Sequence, residues 1–521
     1  VVLDSRTAAD RTANNTSTAS GGGSITLGGG SASTTLASGT VVPTGVAWQT
    51  DGGIPSGVLL GTYFSGFSGQ NTGIQLLSGG GDITLRGKST VGSDGVRLGV
   101  GIMEGTTIDA GTTGGVTIAG EAVGPSGNGV AGVDFPAWRT GLAIPVIRTH
   151  DGNISITGSS TDGIAVLLGG HSSAPPIIAS TGTGSLTIEG TGTGTNSNIG
   201  ISSTRFLAAS GLIRVKSQDG VVSATPTGVA LPIALGSLAG TPVTSSTSNV
   251  EIISNALSLA ASNGFDVNTS GTFTLEPAGD DFTNAITFPI ADLALDAAVS
   301  GLTIGKASSA DGTSDANVTI AGATSIAGPI SVYGGDITFN QNLTSTLANA
   351  AILLEASGSI GTANSVKTVA TTNGNISLIG DADANGSGQL DLDYTYYQAG
   401  TGNILLRGET FSWAGGEPGV GPTIINTTGT FTMESSDTSF SQGVDVAWLN
   451  YPSTLSGYTL GKSTNAGNVE SNVALNVNGP ISIYGVDISI NENLNTTGGG
   501  VDGDILLKGS GDITLAANKS L

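Results

Sequence analysis

The stretch GPISVYGGDITFNQNLTST occupies Gly328–Thr346, and a near copy, GPISIYGVDISINENLNTT, occupies Gly479–Thr497. The copies start 479 − 328 = 151 residues apart and keep their Gly, Tyr, Asp and Asn punctuation through point substitutions. ISVY and DITFN each alternate apolar with small polar residues, the period-2 signature of half-buried strands. The Gly-Gly pair between them reads as a corner. The Asn residues are placed to stack in register from repeat to repeat, amide on amide. A phrase used twice is either a doubled binding motif or a unit whose job is to stack.

Shorter repeats decide for stacking. A phrase of the form Gly-x-Ile/Val/Leu-Thr/Ser-Leu/Ile returns as GDITLRG at Gly81, GGVTIAG at Gly114, GNISITG at Gly152 and GSLTIEG at Gly184. It continues as GTFTLEP at Gly271, GNISLIG at Gly374, GNILLRG at Gly402, and a closing pair, GDILLKG and GDITLAA. In the first third a second phrase answers it, at Asp94, Asn128 and Asp162, spaced 34 residues each time. Gly, Asn and Asp at the phrase edges are expected to supply positive φ for turns. Helical periodicity is nearly absent; NALSLAASN (Asn255–Asn263) is the best helical candidate and also reads as a strand.

Tandem sandwiches would bring longer strands and an aromatic core, yet only 5% of the residues are aromatic. A propeller would show a blade signature of about 40–50 residues, which is not found. The expected fold is therefore all-β: an elongated, right-handed parallel β-helix, or β-solenoid, with loop insertions, each coil burying a few inward side chains against its neighbours. At longer range Phe273, Leu302 and Ile352 open phrases that return at Phe431, Tyr458 and Ile505, offsets of 158, 156 and 153. The expected organisation is an irregular or capping β region over 1–80, a solenoid of roughly 34-residue repeats over 81–270, a long repeat block over 271–430 and its truncated copy over 431–521.

Composition narrows the function. The 521 residues carry 39 Asp+Glu against 16 Lys+Arg, a net charge of −23. That argues against nucleic acid and against electrostatic docking on anionic lipid. No apolar run reaches the roughly 18–20 residues needed to span a bilayer, and the absence of Cys excludes disulfides and thiolate chemistry. The chain opens at VVLDSRTAAD without an initiator Met and closes inside a repeat, as a piece of a longer polypeptide would.

The phrases GDITLRGKSTVGSDGVRL, GNISITGSSTDGIAVLLGG and GPISIYGVDISINENL with GDILLKGSGDITL resemble giant bacterial surface proteins of the filamentous haemagglutinin type, over most of Gly81–Leu521. The resemblance implies an exported, rod-like β-helix that attaches a cell to a surface or another cell. The Asn-Pro-Asn signatures of that family's amino-terminal secretion domain are not evident.

Candidate sites are few. DADANGSGQLDLD (Asp381–Asp393) places Asp381, Asp383 and Asn385 at positions 1, 3 and 5 and Gly386 at 6, like the first half of an EF-hand calcium loop. Leu392 stands where the closing Glu belongs, so Asp391 or Asp393 would have to complete a Ca2+ site. The alternative is an Asp/Asn/Gly turn joining two strands. Tyr394, Tyr396 and Tyr397 with Trp413 form an aromatic group suited to stacking on sugars or a partner protein; covering a coil is the other use of such side chains. Pectin-hydrolysing β-helices resemble one another in a set that includes Gly-Asp-Asp and Arg-Ile-Lys; here AGDD (Asp280, Asp281) and IRVK (Arg214, Lys216) come in the wrong order. The two His residues, His150 and His171, lie in loop-like contexts. Sequons at Asn153, Asn317, Asn342 and Asn375 read as chance occurrences, several of them inside strands.

The expected function is a non-catalytic, secreted structural or adhesive solenoid of the bacterial cell surface, forming a stalk or self-associating into filaments. Its expected partners are glycans or proteins of a host, a neighbouring cell or a matrix. The alternative is a carbohydrate-binding or carbohydrate-cleaving β-helix.

Overall fold

The computed structural model describes residues 1–12, 19–28, 33–35, 41–43, 56–61, 73–90, 97–123, 130–135, 143–161, 163–169, 176–192, 199–201, 204–218, 221–224, 233–236, 245–259, 265–290, 293–312, 315–362, 366–393, 395–412, 423–447, 449–496 and 503–521. They form two compact units: Val1–Gly279 with Ile290–Val299, and Asp280–Pro289 with Ser300–Leu521. Each is a parallel β-helix, as the alternation predicts. Among the described residues the helices are Ala8–Thr12 and the 3-10 turn Ala307–Ala310, and no helix is long and apolar enough to cross a membrane.

In the first unit the chain visits three parallel sheets in turn. Sheet A runs from Val2–Asp4 through Thr107–Asp109 to Phe265–Asn268 and Leu293–Leu295. Sheet B runs from Ile25–Gly28 and Ile83–Thr90 to Thr272–Glu276, and sheet C from Ser56–Leu60 to Ala256–Leu259. From Ile83 onward, successive coils add between 23 residues (Val250 to Phe273) and 38 (Val116 to Ile154) along sheet B, and the step from Ile25 to Ile83 adds 58, so the 34-residue spacing is one value within a range. NALSLAASN contributes a strand, Ala256–Leu259. The amino-terminal residues take part in the same ladders: Val2 pairs with Gln75, and Ile25 with Ile83.

The second unit repeats the plan with coils that add 22 to 28 residues along the sheet from Leu302 to Ile505 (Ile330 to Ile352; Leu302 to Ile330). Sheet D runs from Gly301–Ile304 to Ile505–Gly509. Strands from Ile286–Phe288 to Ile513–Leu515 make the second face, here sheet E, and strands from Thr324–Ile326 to Leu494–Thr496 the third, sheet F; each of these faces is interrupted once. The opening stretch supplies three strands rather than two: Ile330–Gly334 in D, Ile337–Phe339 in E and Leu343–Ala348 in F. It is one complete coil. Following register partners from Leu302 through Ile330, Ile352, Ile376, Ile404 and Phe431 reaches Tyr458 in six steps. The same six steps separate Ile330 from Ile481 and Ile352 from Ile505, so the duplicated block is a set of six coils.

All but the last copy of the short phrase, GDITLAA, whose Ile513 pairs with Ile488 on sheet E, mark one sheet in each unit. The first apolar residues Ile83, Val116, Ile154 and Leu186 stand in register on sheet B, and the equivalent residues Ile376, Ile404 and Ile505 lie on sheet D. The first and third strand residues point inward; Ile83, Leu85, Ile330 and Val332 are all fully buried. Each such side chain contributes about 1.5–3 kcal/mol of burial.

The phrase's leading glycine has a different cause from the one its composition suggests. Gly114, Gly152, Gly184, Gly374 and Gly402 are not among the residues with positive φ. Instead each backs onto the same position one coil earlier: a Cβ would lie 2.1 Å from Gly81 O at Gly114, 2.0 Å from Gly114 O at Gly152 and 2.0 Å from Gly374 O at Gly402. Those carbonyls are also taken by buried hydroxyls. Thr149 Oγ1 donates to Gly114 O at 2.7 Å, Ser345 Oγ to Gly328 O at 2.8 Å and Thr371 Oγ1 to Gly374 O at 2.6 Å. A glycine column and a hydroxyl column thus build one corner of the coil, the hydroxyls supplying these buried carbonyls with donors.

The stacked Asn residues also bond differently from the expected amide-on-amide ladder. The side-chain oxygen just before a strand accepts the backbone N–H of the corresponding residue one coil on: Asn153 from Ser185 at 2.9 Å, Asn375 from Asn403 at 2.9 Å, Asn403 from Thr430 at 2.9 Å and Asp336 from Ser359 at 2.8 Å. Corner N–H groups lie outside the strand ladders and need an acceptor. One amide pair does occur, Asn491 Nδ2 to Asn472 Oδ1 at 2.7 Å. The sequon residues Asn153, Asn317, Asn342 and Asn375 therefore sit exposed at corners, not inside strands.

Candidate functional site

The net negative charge belongs mainly to residues 280–521, which hold 23 acidic and 6 basic side chains. In the second unit many of them gather where sheet D hands over to sheet E. Some of these corners are short, but those after Ile304, Ile379, Glu434 and Leu460 lengthen into loops. Ser308 Oγ and Ser309 Oγ each donate to Asp280 O at 3.1 Å, and Gly312 N donates to Asp315 Oδ2 at 2.8 Å. Asp383 reaches the same loop, since a Cβ on Gly312 would fall 2.1 Å from its Oδ2. Asp281 Oδ1, Asp315 Oδ1, Asp383 Oδ1 and Glu409 Oε2 are buried without a partner among the described residues. Burial first, then the charges of Asp315 and Asp311, raises the Asp281 carboxyl above its ordinary range. Burial likewise raises Glu409, with Asp381 and Asp437 adding to it and Ser441 and Lys462 opposing.

Within this corner the calcium-like turn closes on itself. Asp381 is fully buried at φ 55°, a left-handed position. Its Oδ1 accepts Gly386 N at 3.0 Å and Ser387 N at 3.3 Å, and its Oδ2 accepts Ser436 Oγ at 2.6 Å. Asn385 Nδ2 donates to Asp383 Oδ2 at 2.5 Å, and Ser387 Oγ donates to Asn385 Oδ1. Asp391 and Asp393 take no part in these bonds. Asp391 lies on the strand Gln389–Asp391 and accepts Asp393 N at 3.2 Å, while Asp393 O accepts Thr362 and Thr395 hydroxyls at 3.1 Å each. Burial foremost raises the Asp391 carboxyl. Among the described residues no three His, Asp or Glu side chains are grouped to hold a metal. The Asp381 carboxylate is committed to the donors of Gly386, Ser387 and Ser436, and the turn is expected to depend on it. Asp381→Ala should cost about 2–4 kcal/mol through stranded N–H and hydroxyl donors, whereas EGTA should leave the melting temperature of the native chain unchanged.

The aromatic group divides. Tyr396 is half-buried on the outer side of the strand Thr395–Gly400, whereas Tyr397 is fully buried and its phenol is pushed well above its ordinary value by burial. Strand alternation makes Tyr397 a core residue rather than a ligand platform. Tyr394 and Trp413 lie outside the described residues. The remaining fragments have structural partners: Arg214 Nε meets Glu251 at 2.7 Å and Lys216 meets Glu189 at 3.6 Å, both across neighbouring coils. His150 Nδ1 lies 3.3 Å from Asp151, and His171 is outside the described residues.

A concave surface on the first unit escaped the sequence reading. Two adjoining hollows of about 270 and 260 Å³ lie along sheet B, sharing Glu121 and Ser159. Arg86 and Lys88 line one, Thr161 and Thr191 the other. The available signal was a second glycine at a fixed place in four phrases, in LRG, IAG, ITG and IEG. No known protein family, curated protein or solved structure matches the chain.

Proposed function

We propose that the chain is a non-catalytic structural and adhesive solenoid of a bacterial cell surface, exported and filament-forming, of the filamentous haemagglutinin type. The observation that carries this reading is the six-coil duplication. Repeating whole coils while keeping core, corner glycine and corner hydroxyl adds more of the same scaffold, whereas a catalytic site needs one irregular constellation. The acidic, hydroxyl-rich outer surface suits an exposed life. Parallel coils leave backbone groups unpaired at either end of a stack, where another copy can add strands. Electron microscopy of the purified chain, with antibody labelling of the producing cells, tests the reading. Rods or filaments and surface label are expected; isolated particles and an intracellular label would refute it.

A further inference from the structure

We propose that the groove on sheet B of the first unit binds a linear, carboxylate-bearing polysaccharide, laid across successive coils with an acid group against Arg86. The groove has a physical origin. Gly87, Gly120, Gly158 and Gly190 stand in register along sheet B. A Cβ at the first three would lie 2.0, 1.9 and 1.9 Å from the carbonyl oxygens of Gly99, Gly132 and Ala165 on sheet C. With no side chain between them the two sheets meet backbone to backbone, and the outer surface of sheet B sinks along that line.

The lining selects the ligand. Thr157, Ser159, Thr161 and Thr191 offer hydroxyls, Glu121 a carboxylate, and neither hollow has an aromatic wall. The register column Lys88, Glu121, Ser159, Thr191 presents one polar group per coil. Coils repeat at about 4.7–4.9 Å, a spacing close to one pyranose unit of an extended chain, so a regular polymer meets the same contacts at each step. Lys88 Nζ is committed to Glu121 at 2.6 Å. Arg86 lines the first hollow; its Nε is buried without a hydrogen-bond partner among the described residues, so a carboxylate meets the guanidinium through its terminal nitrogens. A guanidinium matches a carboxylate in fixed, forked geometry. In a chain of net charge −23, such a cation decides where an acidic polymer can approach.

This site does not depend on filaments or on a cell surface, so it stands or falls separately from the scaffold reading. The test is calorimetric titration of the full chain with hexagalacturonate, with cellohexaose as the neutral probe. Hexagalacturonate should bind, more weakly at high salt, and cellohexaose should not. Arg86→Ala should weaken binding about tenfold or more. Thr157→Trp, on an exposed outward position, should block the groove while leaving the thermal melt unchanged. No binding, equal binding of both sugars, or undiminished binding in both variants would overturn the proposal. Equal affinity for hexathymidylate would reduce the site to a general polyanion contact and also overturn it.

Discussion

Gly114→Ala is expected to destabilise the first unit by about 3 kcal/mol or more, and its neighbour Gly115→Ala by less than about 1 kcal/mol. Both substitutions add one methyl group to a glycine without positive φ. At Gly114 the new Cβ would lie 2.1 Å from Gly81 O and 2.6 Å from Ala110 O, so two coils must separate to admit it. At Gly115 the nearest atom is Asn153 O at 3.1 Å, with the Asp82 side chain next at 3.6 Å, and small shifts suffice. Because each coil touches mainly its neighbours, the damage at Gly114 should be local. Urea denaturation gives the stability, and limited proteolysis should find new cleavage near that coil. Equal effects of the two substitutions would show that the phrase's leading glycine is there for chain flexibility and not for closeness.

The second large effect concerns Asp134, on the strand Val130–Phe135 of sheet C. The residue is 2% exposed, Glu104 beside it is 5% exposed, and Asp134 Oδ1 has no partner among the described residues. Burial, reinforced by the charge of Glu104, pushes the Asp134 carboxyl up to about 7. In the unfolded chain the same group ionises near 3.8. Between those values the folded state holds a proton that the unfolded state has released, so stability falls as pH rises. The loss is about 1.4 kcal/mol per pH unit, and about 4 kcal/mol over the whole window. Above pH 7 the curve flattens, because both states are ionised. Asp134→Asn keeps the shape and removes the titration. Its urea midpoint should exceed that of the parent at pH 7.5 and lose most of the slope between pH 4 and 7. A parent protein whose stability is flat or rising over that interval would rule the account out.

Strand alternation was legible because an inward position must be apolar and its neighbours need not be. With short strands and few aromatic residues it pointed to the parallel coil; that most copies of the phrase share one face emerged only from the strand register. The third strand of the opening stretch was harder to see, since Leu343–Ala348 follows its corner without a glycine pair. Corner chemistry was not legible at all. Glycine written for positive φ and glycine written for closeness are the same letter, and Asn375 does not announce that its partner is the N–H of Asn403. The Asp381 turn reads two ways for a related reason: alternating oxygens before a glycine look alike whether they face a cation or their own backbone. The Tyr396 and Tyr397 pair shows the remaining limit, because alternation guarantees that one of two adjacent tyrosines is interior without saying which. The groove needed the register of four strands, a relation between distant residues.

The six-coil duplication has a consequence for how such a chain can change. The coil beneath Gly328 and the coil beneath Gly479 carry nearly the same phrase, LTIGKAS and YTLGKST. Joining Ala327 directly to Gly479 would therefore replace one familiar junction with another. The junction is not wholly neutral, because Tyr458 packs against Phe431 and Tyr451 at 5.6 and 5.2 Å, where Leu302 has a smaller side chain. Homologous recombination between the two copies would delete or add a cassette of whole coils in frame, leaving the corner columns continuous. Such a gene can vary its product in discrete steps, a currency of size that point mutation does not possess.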